Sequence, residues 1–355
     1  MFKQKKVIVW VNGIDNLILE NGNVGGLTVQ MYFWSLIFIK NNWTVYSFSE
    51  AKKNILRDIH FLKFPTIRYV GFFIELIFSF FYLLYVRPDL IIIRGAGRGL
   101  AYLSIYSKIL NIKMVHFGAS NSDYEIGKEL IVAEHDKRLY RFGLKRCVYF
   151  VVQNSIQEEL IKQNYNTTSS IIIPNIWFAE DQKFIKKEQK YILWVSNFRN
   201  LKRPEWFIEL ATCFPDESFI MVGADLDKEL YAYCKARCET INNIEFKGSL
   251  SLNEVNKLFQ VSKLFVCTSE IEGFPNTFLQ AWANAIPVLS TFDPSNVIEK
   301  NKLGVYCVDF NSFKVGLIDI LSDDKQKNEL TINNYFDKNH SPQKHFLRLM
   351  KYIYS

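Results

Sequence analysis

KLFVCTSEIEGFPNTFLQAW, residues 263–282, decides the reading of this chain. A short run of β-branched and aromatic residues passes through a tight Gly-Phe-Pro loop. A helix then starts near Asn276 or Thr277. The start of a helix presents free N–H groups and partial positive charge. At the carboxyl end of a parallel strand, that is where α/β proteins hold ligands. Gly273, Phe274, Pro275, Asn276 and Thr277 form the turn, Glu272 stands in the loop, and Gln280 lies about one turn into the helix. A phosphate or a sugar hydroxyl fits such a turn. An ordinary capped strand–helix turn with a solvated Glu272 fits the same residues.

The same alternation extends outward. KKVIVWV (5–11), NWTVYSFS (42–49), DLIIIR (89–94), KMVHFG (113–118), CVYFVVQ (147–153) and SIIIPN (170–175) read as strands, with helices over about 25–40, 67–86, 99–110 and 124–144 between them. It restarts with YILWVSN (191–197), SFIMVG (218–223), IEFKG (244–248) and PVLS (287–290), and the tail from 311 reads as three helices. Strands and helices in alternation predict parallel, doubly wound sheets. The charged, aperiodic stretch 178–190 is the linker candidate. The expected organisation is an N-terminal domain at 1–178, a linker at 179–190, a C-terminal domain at 191–335, and a last helix within 336–355 crossing back to the first domain.

Composition sets the class. The chain has 355 residues, 49% hydrophobic and 22% charged, which suits a globular protein and argues against disorder or a polytopic membrane protein. Net charge is +7 and unevenly spread. Residues 1–178 carry 21 Lys/Arg against 13 Asp/Glu, and 179–355 carry 22 against 23. A basic, aromatic-rich first half attracts an anionic partner. Two features there suggest a membrane surface. VGFFIELIFSFFYLLYV (70–86) has one charge, Glu75, and is too short to span. KRLYRFGLKR (137–146) packs five basic residues among aromatics and Leu, and a basic residue near anionic lipid contributes about 1 kcal/mol. A docked core helix and a solvated helix end are the plain alternatives. No nucleic-acid-binding module is evident. Six cysteines form no framework, which predicts a reducing compartment and no zinc. The basic start MFKQKK precedes too short an apolar run for a signal peptide.

The 269–288 segment resembles the signature of retaining glycosyltransferases of family 4, the group 1 glycosyltransferases with the GT-B fold. Ser269, Glu272, Gly273, Phe274, Ala281, Ala283, Pro287 and Val288 stand at the matching places, while Gln280 replaces the second Glu. The resemblance implies two Rossmann-like doubly wound domains facing across a cleft. It implies a nucleotide-sugar donor on the C-terminal domain, with Gln280 at the place that holds the ribose hydroxyls. Residues 191–211 are similar to that domain's first strand and helix, which puts Lys202 on the donor diphosphate and Arg199 beside the usual Arg place. Gly25 and Gly26 match a Gly-Gly loop next to the donor phosphates, and His116 a strand-end His that approaches the donor sugar. Glu272 is then the residue that positions the sugar, with Glu272 and His116 as the catalytic pair. The similarity covers most of 147–310 and is looser before 147.

From the resemblance follow further expectations: a glycan or polyprenyl-linked acceptor, cell-surface polysaccharide synthesis (capsule or lipopolysaccharide), no metal or other cofactor, and a cytoplasmic chain peripheral to the membrane. Two alternatives stay open, a non-catalytic sugar- or lipid-binding protein on the same scaffold and a GT-B nucleotide-sugar epimerase. A glycoside hydrolase using Glu270 and Glu272 is rejected, because neighbours on one strand cannot flank a bond.

Overall fold

The computed structural model describes residues 5–10, 26–48, 58–63, 71–167, 169–178, 189–322 and 325–355. Gly25 and most of the expected linker, 179–188, lie outside the described residues. The chain divides into two compact units, one of residues 1–176 with 342–355 and one of residues 177–341.

The first unit holds β1 (Lys6–Trp10), α1 (Gly26–Lys40), β2 (Thr44–Phe48), β3 (Ile59–Leu62), α2 (Gly71–Val86), β4 (Leu90–Arg94), α3 (Gly99–Ile109), β5 (Lys113–Phe117), α4 (Glu134–Leu144), β6 (Tyr149–Val152), α5 (Ser155–Tyr165) and β7 (Ser170–Ile172). The strands pair in parallel in the order β3-β2-β1-β4-β5-β6-β7. All five residues of β4 are buried, as expected for a central strand covered on both faces. The connections after β3, β4, β5 and β6 all step the same way along the sheet. Right-handed crossovers therefore lay α2, α3, α4 and α5 on one face and α1 on the other.

The second unit holds β8 (Tyr191–Val195), α6 (Pro204–Cys213), β9 (Ser218–Val222), α7 (Lys228–Cys238), β10 (Ile244–Gly248), α8 (Leu252–Gln260), β11 (Ser262–Cys267), α9 (Asn276–Ala283), β12 (Val288–Ser290), α10 (Val297–Asn301), β13 (Gly304–Tyr306), α11 (Phe310–Ser322) and α12 (Lys325–Asn339). Its parallel order is β10-β9-β8-β11-β12-β13. Trp194, Phe207, Phe219, Met221, Leu264 and Val266 fill one core cluster, each contributing about 1.5–3 kcal/mol by burial.

The last helix, α13 (Pro342–Tyr354), belongs to the first unit. Lys113 Nζ donates to the Ile353 carbonyl at 2.6 Å, and Ser169 Oγ donates to Tyr352 Oη at 2.9 Å. Asn41 and Gln343 exchange amide hydrogen bonds at 2.9 and 3.0 Å.

One expected helix is shorter than the sequence pattern suggests. Residues 124–133 are turns, bends and irregular backbone, and α4 starts only at Glu134. Gly127 has φ +94, outside helical backbone. The Glu129 carboxylate accepts the Gly127 N–H at 2.9 Å and pairs with Arg141 at 2.6 Å, so the segment folds back on α4 instead of extending it.

Candidate active site

In the second unit the chain runs outward from β8 in both directions, so the sheet reverses its order between β8 and β11. The loops leaving these two strands flank the crevice where open α/β sheets bind ligands. Both candidate loops from the sequence are these loops.

After β8, Phe198 is buried against Trp194, Tyr231 and Phe246, and its N–H donates to the Ala224 carbonyl at 2.9 Å. This anchor precedes a single 3-10 turn, Asn200–Lys202. Arg203 follows in left-handed conformation, φ 43 and ψ 55, and Pro204 opens α6 at its first position. The turn delivers the Lys202 ammonium to Glu272 of the β11–α9 loop. Lys202 Nζ and Glu272 Oε1 form an ion pair, with the two side chains 14% and 22% exposed.

Several bonds lash the two loops together. Thr268, fully buried, accepts from Trp194 Nε1 at 3.0 Å and donates to the Lys202 carbonyl. The Glu270 N–H donates to the Leu201 carbonyl at 2.9 Å. Arg203 Nε donates to the Thr268 carbonyl at 2.8 Å, while its guanidinium lies 4.2 Å from the Trp206 ring centre. From the β12 side, Thr291 Oγ1 donates to the Ser269 carbonyl at 2.9 Å. The pair is thus held from three strands. Close approach continues at Gly223, where a Cβ would stand 1.9 Å from the Ser196 carbonyl oxygen. Only glycine lets the β8 and β9 loops meet there.

Beyond Glu272, Gly273 and Pro275 are buried. Phe274 packs edge-on to Trp282, with centroids 6.1 Å apart, and lies 5.5 Å from His340. Asn276 and Thr277 begin α9, with Pro275, which has no side-chain acceptor, at the cap position. Positive helix-end charge is therefore directed toward the loop. Gln280 is buried, and its Nε2 donates to Asn256 Oδ1 of α8 at 2.8 Å. Arg199 is exposed, on extended backbone ahead of the 3-10 turn.

In the first unit, Gly26 is the exposed first residue of α1. His116, the strand-end His that the resemblance places near the donor sugar, is fully buried. Its Nε2 lies 3.1 Å from the Gly95 carbonyl, and its Nδ1 3.1 Å from the Tyr124 hydroxyl. A carbonyl only accepts, so Nε2 carries the proton and Nδ1 accepts from Tyr124. Burial pushes the imidazole down to about 4. Both nitrogens are committed, and His116 fixes the turn after β4. Beside it Arg94 is buried, donates to Asn175 Oδ1 at 2.6 Å, and is lowered to about 10 by burial. Burial raises Asp123 to about 6 against the N–H groups of Ala119 and Ser120 and the charge of Arg94.

The sequence reading did not single out Arg94, Thr268 or Asn256. Arg94 alone had a local signal, a charge closing an otherwise apolar strand. Among the described residues no three His, Cys, Asp or Glu side chains group as metal ligands.

Two doubly wound parallel-sheet units are the architecture of GT-B proteins. Residues 175–336, a little under half of the chain, match the family "Glycosyl transferases group 1", the family whose motifs the sequence resembles. An Escherichia coli UDP-Gal:alpha-D-GlcNAc-diphosphoundecaprenol alpha-1,3-galactosyltransferase is 30% identical over 197 residues, 54% of this chain and 46% of that protein. A Bacillus anthracis N-acetyl-alpha-D-glucosaminyl L-malate synthase is 25% identical over 175 residues, 43% of this chain and 44% of that protein. The matches thus span less than half the length of these relatives. Among solved structures, sucrose-phosphate synthase from Thermosynechococcus elongatus superposes with a TM-score of 0.75 over 98% of both chains, at 13% identity. That likeness establishes the fold.

Proposed function

We propose that the protein is a retaining glycosyltransferase that moves a sugar from a nucleotide-sugar donor to a glycan or polyprenyl-linked acceptor. The observation that carries this reading is the Lys202–Glu272 pair at the sheet reversal, inside the family-matched domain. As the glycosidic bond to the diphosphate breaks, charge grows on the leaving oxygens. Lys202 and the α9 N-terminus supply fixed positive charge for them, so the chemistry calls for no metal ion. Glu272, released from Lys202 by the diphosphate, accepts hydrogen bonds from the sugar hydroxyls and positions the ring. The acceptor hydroxyl bonds to the anomeric carbon on the face the diphosphate leaves, and its proton passes to a diphosphate oxygen. Gln280 presents an amide, not a carboxylate, toward the ribose.

The lipid-diphosphate acceptor in the Escherichia coli relative's name supports a lipid-linked acceptor. On this reading the protein serves cell-surface polysaccharide synthesis at the cytoplasmic face of a membrane. Transfer assays on Glu272→Ala test the reading. Turnover should fall at least a thousandfold while the melting temperature stays within a few degrees. Near-native turnover in that variant overturns it. A second reading, a binding protein on the same scaffold, draws on Gln280 being tied to Asn256. Nucleotide binding without turnover across an acceptor panel would select it.

A further inference from the structure

Among the described helices α2 is the most apolar, and its hydrophobic side chains are not all inside. Phe73, Ile77, Phe81, Leu84 and Tyr85 are 62%, 50%, 60%, 41% and 78% exposed. At 100° per residue they fall within one arc of about 120° and run about 18 Å along the helix. The helix's single charge is not on that arc. Glu75 turns away, to Arg98 at 3.1 Å, and Arg98 reaches on to Asp136 of α4 at 3.9 Å. Arg98 thus ties α2 and α4 to the start of α3, in the helix layer on one face of the sheet. α4 and the residues after it add exposed Arg138, Phe142, Lys145, Arg146 and Val148 to the layer, and the Arg146 guanidinium lies 5.1 Å from the Phe142 ring centre.

We infer that this layer docks on an anionic lipid bilayer, with α2 lying in the plane of the interface and its five exposed side chains inserted among the acyl chains. Charge complementarity selects this occupant. The uncharged aromatic–aliphatic stripe of α2 and the exposed cations on and after α4 belong to the same helix layer, in the half of the chain that carries a balance of +8. Interfacial helices combine these two components and sink about 5–10 Å into the headgroup boundary. The 16 residues of α2 are about 24 Å long, short of a bilayer core of about 30 Å, and no described helix is long and apolar enough to cross a membrane. The inference does not depend on the transferase reading. Vesicle binding without nucleotide binding would leave it standing, and the reverse result would leave the transferase reading standing.

The test is co-sedimentation of the full chain with phosphatidylglycerol–phosphatidylcholine vesicles and with phosphatidylcholine alone. Wild type should partition onto the anionic vesicles and release with salt. The double substitution Phe81→Ser with Tyr85→Ser should weaken partition at least tenfold at unchanged melting temperature. Lys145→Glu with Arg146→Glu should do so on anionic vesicles alone, since one cation is worth roughly fivefold. A Tyr85→Trp variant should show a blue-shifted emission on anionic vesicles. No sedimentation of wild type, or undiminished binding of the α2 variant, overturns the inference. So does a wild-type dimer that Phe81→Ser converts to monomer, because a second copy would then be the occupant of the stripe.

Discussion

Replacing Lys202 with Met removes one charge and keeps most of the side-chain bulk. Lys202 and Glu272 are mostly but not fully buried. The pair therefore lies between exposed ion pairs, worth about 0.2–1 kcal/mol, and buried ones, which cost about 3–5 kcal/mol to break. A loss of about 1–2 kcal/mol is expected for the unliganded protein. The second unit spans residues 177–341, so its unfolding entropy is about 0.35 kcal/mol/K at about 2.1 cal/mol/K per residue. The melting temperature should drop by about 3–6 °C. A nucleoside diphosphate at 100 times its Kd adds about 2.7 kcal/mol, or about 8 °C, to wild type. Hydrogen bonds to a charged group are worth about 1.5–3 kcal/mol, so affinity falls by roughly one to two orders of magnitude without Lys202. At the same ligand concentration the shift shrinks to about 1–4 °C. Scanning fluorimetry against a panel of nucleotides and nucleotide sugars measures both quantities. A full shift in Lys202→Met would remove Lys202 from the diphosphate. A Lys202→Met/Glu272→Gln cycle with coupling below about 0.3 kcal/mol would deny that the pair forms.

Other perturbations reach the supports of the site. Gly223→Ala places a Cβ 1.9 Å from the Ser196 oxygen. The β8 and β9 loops must separate, at about 3 kcal/mol, read as a melting temperature lower by about 9 °C. Arg203→Ala loses the bond to Thr268 and the Trp206 contact yet keeps a left-handed backbone. Arg203→Gly loses the same contacts without that strain, so chemical denaturation should find it about 1 kcal/mol more stable than the alanine variant. His116 has a folded pKa of about 4 against 6.5 unfolded. Its neutral form supports the fold above pH 6.5, and that support is lost as pH falls toward 4. Relative to His116→Gln, wild type should lose about 3 kcal/mol of unfolding free energy between pH 6.5 and 4, and a pH-independent difference would show that His116 is not buried neutral.

The fold was legible where strands are covered on both faces. LIIIR and KLFVC read as strands because a parallel central strand has no polar alternation to hide it. β3 and β13 went unread for the opposite reason. IHFL carries an exposed His60, and Gly304–Tyr306 is three edge residues with no long apolar run. The false start of α4 had a local cause, since periodicity through 124–144 cannot show that Gly127 takes a positive φ.

The site was legible as two loops but not as a contact. Lys202 and Glu272 are 70 positions apart, and nothing in either loop alone states that they pair. Their meeting follows from sheet order, because β8 and β11 are neighbours where the winding reverses. Arg199 and Arg203 show the limit of spacing most clearly. Both lie in one basic loop, but Arg199 precedes the 3-10 turn on extended backbone and faces solvent, whereas Arg203 follows it in the left-handed region and reaches Thr268. Four residues of chain reverse the direction of the side chain, so the cation that fastens the two loops is the one whose backbone is turned. Donor affinity should accordingly respond to Arg203 through the position of Lys202, and to Arg199 only through long-range charge that salt screens.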